Sequence, residues 1–421
     1  MGKYKLGNIA TVEISGVDKK IKDGEKKIRL CNFVDVYYNW AITTARHDSF
    51  MFATANSKEI SKFQLKKGQV ALTKDSETRD DIGISTYIAD DFDDVILGYH
   101  CALITPNKDI LDGSYLNVLL HTEYAKKYFA FNASGSGQRY ALSVETLNSF
   151  PVPKVLLREQ QRIGEIFSAL DKKIELNRRI NQNLETMAKQ LYDYWFVQFD
   201  FPDENGRPYK SSGGKMVWND KLKREIPVGW HCGNLFEIAV FTNGLACQKF
   251  RPKDGEISLP VIKIREMHEG ISADTEEVTP NIPESVKVYN GDVLFSWSAS
   301  LEVMLWAYGL GGLNQHIFKV TSANEFPKSF YYFQLLDYVD IFKKMAEARK
   351  TTMGHITQDH LQQSTIAVPD NKNIADRFEE LMSPIFNQII KLQEEIINLT
   401  KQRDELLPLL MNGQVSVNSD L

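Results

Sequence analysis

The chain has 421 residues, of which 43% are hydrophobic and 25% are charged, and its formal net charge is −5. A chain of this length exceeds one ordinary hydrophobic core, so we expect two or three domains of a soluble globular protein. The negative net charge gives no sign of nucleic-acid binding and counts against it.

Three features bear on the cellular compartment. The N-terminal stretch MGKYKLGNIA has no apolar core of a signal peptide, and no apolar run approaches the roughly 18 residues of a membrane span. Cys31, Cys101, Cys232 and Cys247 are isolated and form no C-x-x-C pair, which indicates neither a disulfide framework nor a zinc site. We therefore expect a cytoplasmic protein without a metal site and without membrane association.

Residues 1–155 are predicted to form the first globular domain, and two of its loops are candidates for contacts with DNA. The stretch ASGSGQRYALS (133–143) places Gln138, Arg139 and Tyr140 among small polar residues, and ARHDSF (45–50) carries Arg46. Side chains of these types bind phosphates and base edges. The alternative for both stretches is an ordinary solvated loop.

Residues 156–200 are predicted to form a long helix that pairs with another helix. Its core positions alternate four and three residues apart, which is the spacing of a heptad seam. The seam consists of Ile163, Phe167, Leu170, Ile174, Asn177, Asn181, Leu184, Ala188, Leu191 and Trp195. The two asparagines are polar seam positions of the kind that fix register at some cost in stability.

A linker rich in glycine and proline (201–225) precedes a second predicted globular domain (226–370), with strand-like apolar runs at 259–264 and 293–296. Trp297 is interpreted as a core residue, and His316 as either a DNA contact or a strand-edge packing residue. The main candidates for DNA contacts, again with solvated loops as the alternative, are Gln248, Lys249 and Arg251 in TNGLACQKFRPKDG (242–255) and Arg349, Lys350, Thr351 and His355 in EARKTTMGHIT (347–357).

Residues 371–413 repeat the helical seam 215 residues later, without a slip, before a tail at 414–421. The repeated positions are Phe378, Met382, Ile385, Ile389, Leu392, Ile396, Leu399, Arg403, Leu406 and Leu410. Matches before the helices extend the repeat: Tyr4–Ile9 resembles Trp230–Leu235, and Leu142 corresponds to Ile356. An internal duplication explains this agreement. Pro384 either restarts the second helix or kinks it.

The two helices are expected to pair with each other. At 1.5 Å per residue each is about 60 Å long, and an antiparallel arrangement would place the two globular domains at opposite ends of the pair, related by a pseudo-twofold axis. The predicted fold class is therefore α+β: two similar α/β domains separated by two long antiparallel coiled-coil helices.

The sequence carries no recognisable catalytic motif. It contains no Pro-Pro pair, and hence no [N/D/S]-P-P-[Y/F/W] loop of an adenine methyltransferase, and no G-x-x-x-x-G-K-[S/T] loop for ATP. We also find no convincing set of carboxylates with a lysine for a nuclease. Any chemistry is therefore expected to lie in partner chains.

Three stretches resemble the specificity subunit of a type I restriction–modification system: LYDYWFVQFDFPDENGRPYKSSGGKMVW (191–218), IPVGWHCGNL (226–235) and RDELLPLLMNGQVSV (403–417). The domain order resembles that family over essentially the full length. The resemblance implies that the globular domains are target-recognition domains that read the two halves of a split DNA site. It implies that the helices are spacers that set the gap between the halves.

The same resemblance implies partners and cofactors. Two modification (methyltransferase) subunits and motor-nuclease restriction subunits are expected to join the chain on double-stranded DNA. S-adenosylmethionine, ATP and magnesium are expected on those subunits, and no cofactor is expected on this chain. Since the two domains have diverged, the DNA site should be asymmetric.

Two other functions compete with this interpretation. A coiled-coil adaptor that assembles proteins without reading DNA would have the same helical seam, but it would not need two domains with basic loops. An unrecognised catalytic site is the third possibility, and methyl transfer by the chain alone would reveal it.

Overall fold

The computed structural model describes residues 2–135, 137–298, 300–348, 356 and 358–411. The chain forms two compact units, the first built from two segments of the chain and the second from one continuous segment. Unit 1 comprises Met1–Glu175 with Asn398–Leu421, and unit 2 comprises Leu176–Ile397. Each unit therefore holds one globular domain together with part of both long helices. None of the helices in the described ranges is long and apolar enough to cross a membrane.

The globular domain of unit 1 is a mixture of short strands and helices. Its strands are β1 (Lys3–Lys5), β2 (Ala10–Ile14), β3 (Lys26–Cys31), β4 (Ala41–Ile42), β5 (Met51–Ala55), β6 (Val70–Thr73), β7 (Asp75–Ser76), β8 (Ser85–Ile88), β9 (Val95–Leu97), β10 (Cys101–Pro106), β11 (Ser134–Gly135), β12 (Tyr140–Ala141) and β13 (Pro151–Pro153). Its helices are α1 (Phe33–Tyr37), α2 (Ser57–Phe63), α3 (Gly113–Leu120), α4 (Glu123–Asn132) and α5 (Val144–Asn148).

Four sheets organise this domain. The largest has the strand order β2-β10-β6-β8-β4, and a second has the order β5-β3-β9. Strand β6 (VALT) is buried at every position because it lies between β10 and β8 in the largest sheet and its side chains enter the domain core. Strands β1 and β13 close the domain as an antiparallel pair, and β7 joins the small sheet β11-β12-β7.

The first long helix, α6, runs from Leu157 to Tyr192 and ends in a π-helical turn from Asp193 to Val197. Beyond it, unit 2 contains the strands β14 (Met216–Asn219), β15 (Arg224–Pro227), β16 (Trp230–Gly233), β17 (Ala239–Asn243), β18 (Leu259–Ile262), β19 (Glu277–Val278), β20 (Lys287–Val288), β21 (Val293–Ser296), β22 (Glu302–Leu305), β23 (Gly311–Leu313), β24 (Ile317–Ser322) and β25 (Ile366–Pro369). Its shorter helices are α7 (Leu235–Ile238), α8 (Ile264–Glu269), α9 (Lys328–Ala348) and α10 (Gln358–Gln362), and the second long helix, α11, spans Asn373–Met411.

The two globular domains share one strand topology. The antiparallel order β2-β10-β6 of unit 1 recurs as β17-β24-β21 in unit 2. The closing pair β1–β13 recurs as β16–β25, and the parallel pair β3–β9 recurs as β18–β23. The prediction of an α+β fold with two similar domains and two long helices is confirmed.

Within unit 2 the two long helices pack antiparallel. The Asn181 amide nitrogen donates to the Ile389 carbonyl oxygen at 3.2 Å, and the Trp195 and Phe378 ring centroids lie 5.5 Å apart. From Asn181 to Trp195 the first helix advances along the chain, while its contacts on α11 move back from Ile389 to Phe378. The predicted seam residues that are half-buried against the core of this unit are Leu184, Leu191 and Ile385. Those that are buried are Asn177, Asn181, Ala188, Trp195, Phe378, Met382, Ile389, Leu392 and Ile396.

Within unit 1 the same two helices pack on the first globular domain. Leu406 contacts the core cluster that contains Ile163 and Phe167. The predicted seam residues in this unit divide into buried Ile163, Phe167 and Ile174 and half-buried Leu170, Leu399 and Leu406. The side chain of Leu410 lies outside the described residues.

Three details differ from the predicted element bounds or settle an open choice. The predicted linker (201–225) is not wholly irregular, because β14 and β15 form an antiparallel hairpin that begins inside it. Helix α6 continues as a π-helical turn to Val197, so the helical conformation ends just before the predicted residue 200. Helix α11 continues through Pro384, so this proline does not start a helix. Pro384 and Glu380, whose carbonyl loses its helical partner, are both exposed, so water can hydrate the freed group.

The seam of unit 2 predicts a clear difference between two apolar residues of α11. Ile389 is 8% exposed and Leu381 is 48% exposed. We expect Ile389→Ala to lower the free energy of unfolding by about 2–5 kcal/mol, because it leaves a cavity in the helix interface. The control Leu381→Ala should change it by less than about 0.5 kcal/mol. Urea unfolding measures both, and equal effects would contradict the assigned seam.

The packing of His121 in unit 1 predicts a pH-dependent stability. Its ring lies 4.1 Å from the Trp40 ring, and its Nδ1 lies 2.9 Å from the Asn117 carbonyl oxygen. Burial, helped by the charges of Arg403 and Lys126, lowers the pKa of His121 to about 4 from an ordinary 6.5. The folded state therefore favours the neutral ring, and its stabilisation is complete above pH 6.5 and declines as the pH falls towards 4.

Between pH 8 and pH 5 this linkage should remove about 2 kcal/mol of unfolding free energy. The variant His121→Gln keeps a hydrogen-bond donor but cannot titrate, so its stability should lack this component. Urea unfolding of both proteins across the pH range isolates the difference. If both proteins lost stability in parallel as the pH falls, the pKa of His121 would not be lowered in the folded state.

Candidate nucleic-acid interface

A matched junction of backbone hydrogen bonds lies at one edge of each globular domain. In unit 1 the Lys74 amide donates to the His100 carbonyl at 2.9 Å, and the Leu142 amide donates to the Lys74 carbonyl at 2.8 Å. These three residues define junction 1. Their bonds bring the strand end after β6, the turn before β10 and the predicted DNA loop (133–143) to one place.

Junction 2 has the same bonds in unit 2. The Trp297 amide donates to the His316 carbonyl at 3.3 Å, and the Ile356 amide donates to the Trp297 carbonyl at 3.1 Å. Ile356 is the residue that the sequence repeat matches to Leu142. The duplication therefore extends to single hydrogen bonds, and Ile356 occupies in unit 2 the position that Leu142 occupies in unit 1.

The predicted residues of the first loop lie beside a polar cluster. Arg139 contacts the His100 ring, whose Nδ1 lies 2.5 Å from the Asp75 carboxylate, and Lys74 Nζ lies 2.9 Å from the same carboxylate. Burial raises the pKa of Asp75, but hydrogen bonds from Lys74 and His100 outweigh this effect and the net pKa is lowered. Asp75 is therefore an ionised anchor at the centre of the cluster.

A cleft of about 680 Å³ opens next to this cluster in unit 1. Its lining combines apolar and aromatic side chains of α1 and its C-terminal end with polar residues that include Asp75, Glu77, Asp81, His100, Gln138 and Arg139. Gln138 and Arg139 are exposed. The cleft thus combines an aromatic wall with polar donors and acceptors, the side-chain types that contact bases.

The other two candidates of unit 1 make contacts within the unit. The Arg46 guanidinium lies 3.5 Å from the Glu175 carboxylate on α6. Tyr140 is half-buried in β12, and the Arg79 guanidinium lies 5.1 Å from the centre of its ring. Both side chains therefore have structural partners, in contrast to the exposed Gln138.

The predicted residues Gln248, Lys249 and Arg251 of unit 2 form an exposed basic turn. The 3₁₀ helix Cys247–Lys249 is anchored by the buried Cys247, whose Sγ lies 3.5 Å from the Leu313 carbonyl oxygen. This anchor directs Gln248 and Lys249 to the surface, and Arg251 is exposed as well. Across the described part of the chain, none of the three side chains makes a hydrogen bond or an ion pair. They are available to DNA phosphates.

The remaining candidates, Arg349, Lys350, Thr351 and His355, lie outside the described residues. Ile356 follows them directly and belongs to junction 2.

Sequence reasoning overlooked Lys74, Asp75 and His100, whereas Trp297, interpreted as a core residue, packs against the core of unit 2. Trp297 is half-buried, with its ring 5.6 Å from His316. The sequence did contain a signal for the two histidines: His100 directly precedes β10, and His316 directly precedes β24. The interval between Leu142 and Ile356 differs by only two residues from the interval between these histidines.

The described residues include no group of three or more His, Cys, Asp or Glu side chains that could hold a metal ion. The free cysteines Cys31, Cys101 and Cys247 are buried, and burial raises the pKa of each thiol. These thiols are packing residues rather than nucleophiles.

The topology and the matched junctions define an internally duplicated two-domain protein with paired helices. The family model described as "Type I restriction modification DNA specificity domain" matches residues 3–186 and 227–401. The chain therefore belongs to this family, and the resemblance noted in the sequence is confirmed.

Two relatives illustrate the similarity. The MjaIX specificity subunit of Methanocaldococcus jannaschii is 26% identical over 319 residues, which cover 74% of this chain and 71% of the relative. The HindI specificity subunit of Haemophilus influenzae is 24% identical over 418 residues, which cover 86% of this chain and 90% of the relative. The fold is similar to the crystal structure of a type I S subunit from M. genitalium, with a TM-score of 0.58, 13% identity and coverage of 97% and 95%.

The exposed basic turn of unit 2 generates a prediction on salt dependence. Lys249→Ala and Arg251→Ala should each weaken binding to duplex DNA by a similar factor for every sequence, because a phosphate contact carries no sequence information. Each should also reduce the slope of log affinity against log salt by about 0.9. The control is Lys221→Ala, an exposed lysine of the β14–β15 turn. Slopes unchanged from wild type would remove this turn from the interface.

Proposed function

We propose that this chain is a non-catalytic DNA sequence-specificity subunit that reads an asymmetric bipartite site, one half through each globular domain. The observation that carries this proposal is the duplication of a whole domain down to junctions 1 and 2. A chain that keeps two copies of one recognition edge can contact two half-sites on one DNA molecule, as dimeric DNA-binding proteins do. Family membership and the names of the relatives support the same function.

The asymmetry of the site follows from how the two edges have diverged. At the matched backbone positions Lys74 is replaced by Trp297, and the following residue, Asp75, is replaced by Ser298. An ionised carboxylate with its lysine cannot offer the same hydrogen bonds as a tryptophan and a serine. The two domains should therefore prefer different base sequences.

The chemistry is assigned to partner chains. Two modification subunits would bind S-adenosylmethionine and methylate the DNA, and motor-nuclease subunits would use ATP and magnesium for restriction. The specificity family of this chain and the absence of methyltransferase and ATPase motifs from its sequence support this division. The cytoplasm is the compartment in which such an assembly would meet DNA.

The competing function is a coiled-coil adaptor that assembles proteins without reading DNA. The helix pairing supports both functions equally. The exposed Gln138 and Arg139 and the basic turn at Lys249 and Arg251 favour DNA reading, because an adaptor needs no such exposed polar and basic groups. Methylation of a duplex library by the complex with its modification subunits separates the two: an adaptor would leave the complex without sequence preference.

Exchange of one domain tests the independence of the two readers. Replacement of residues 1–150 by the equivalent domain of a relative should change one half of the methylated sequence and retain the other half, because each domain has its own core. The reciprocal exchange of residues 226–370 is the matched control and should change only the other half. Simultaneous change of both halves in either exchange would contradict two separate readers. Methyl transfer by the purified chain alone would instead support a catalytic site within it.

A further inference from the structure

The guanidinium of Arg139 lies over the ring of His100. Its Nη2 atom is 3.1 Å from Nδ1 and 3.3 Å from Nε2 of the imidazole. A hydrogen bond in the ring plane would bring it close to one nitrogen only. The nearly equal distances therefore place Nη2 over the face of the imidazole ring, a position in which arginine commonly packs against aromatic groups.

Asp75 holds the His100 ring in place. Its Nδ1 lies 2.5 Å from Asp75 Oδ2, so Nδ1 carries the proton and donates to the carboxylate. Asp75 is 8% exposed and is also bound by Lys74. His100 has a backbone φ of 69°, a left-handed conformation that is uncommon for a residue other than glycine. The fold thus accepts backbone strain at the residue that supports Arg139.

The guanidinium of Arg139 contacts an imidazole ring rather than a carboxylate. No carboxylate lies within ion-pair distance of its guanidinium across the ranges that the structure describes. It lines the cleft of unit 1 together with Gln138 and the exposed Tyr38. A guanidinium held beside a cleft by a fixed imidazole matches direct reading of a base better than contact with a phosphate, which needs charge but no fixed orientation.

We propose that Arg139 is a specificity-determining residue of unit 1 that reads a guanine, and that Asp75 and His100 are its positioning residues. Guanine presents two acceptors, O6 and N7, to the major groove, and the arginine fork donates to both. This inference rests on the proposed DNA-reading function and deepens it, because it names the base and the residue. At the interval that relates Leu142 to Ile356, unit 2 carries Met353 in place of Arg139, so the same contact is not expected there.

The test uses the complete complex of this chain with its modification subunits and a library of randomised duplexes. Arg139→Ala should lower the preference for guanine at one base pair of one half-site by about 5- to 150-fold and leave the other half-site unchanged. Asp75→Asn keeps the size of the side chain but removes its charge, so it should relax the preference at that same base pair by a smaller factor. The double variant should be no worse than Arg139→Ala, since both substitutions disable one contact.

Lys58→Ala, an exposed lysine on α2 that does not line the cleft, is the matched control and should keep the wild-type preference. Three outcomes would each overturn the guanine contact. They are a relaxed preference at a base pair that contains no guanine, an unchanged preference profile, and a uniform loss of affinity for all sequences with a smaller salt slope. Additive effects of Asp75→Asn and Arg139→Ala would overturn the positioning role. A wild-type complex without any sequence preference would instead refute the proposed function itself.

Discussion

The structure depends on the packing of two long helices against each other and against the globular domains. Helix α6 contributes Phe167 to the core of unit 1 and Ala188 to the core of unit 2, and α11 contributes Leu406 to the first and Phe378 to the second. Neither helix could bury its apolar seam alone, because an isolated amphipathic helix leaves that stripe in water. The helices are therefore part of the cores rather than appendages.

The polar positions of the seam constrain how these helices can pair. Asn181 is buried and donates to the Ile389 carbonyl, a bond that a shifted register would break. Asn177 is fully buried, and its amide has no hydrogen-bond partner within the part of the chain that the structure describes. Such residues cost stability, and their best-attested use is to select one register among several apolar alternatives. The pairing of α6 with α11 is thus specified as well as stabilised.

The two duplicated domains share a backbone scaffold, but the side chains at its junction edge differ. The three-strand order β2-β10-β6 or β17-β24-β21, the closing pair and the junction bonds recur in both units, and these features are carried by backbone hydrogen bonds and apolar packing. The side chains attached to the same backbone positions differ, as Lys74 and Trp297 illustrate. A scaffold held by backbone bonds tolerates such changes, because they alter the presented hydrogen-bonding groups without altering the fold.

Much of the architecture could be read from the sequence because it is periodic. The heptad spacing identified the residues of both helices, and its recurrence identified the duplication; burial of Ile163, Ile389 and Ile396 agrees with that pattern. The relation of Leu142 to Ile356 was visible in sequence before the junctions were known. The predicted element bounds were less accurate, because the C-terminal end of α6 and the β14–β15 hairpin depend on tertiary packing and not on local periodicity.

The sequence by itself determined the two domains, the two helices and the polar loops that became candidates for DNA contact. Only the tertiary structure decided which of those side chains have partners. Arg46 pairs with Glu175, which lies 129 residues away, whereas Arg139 contacts the His100 ring and makes no ion pair within the described residues. Periodicity reports which face of an element is buried, but the availability of a charged side chain depends on groups that are distant in sequence, and their positions are set by the packing of the whole unit.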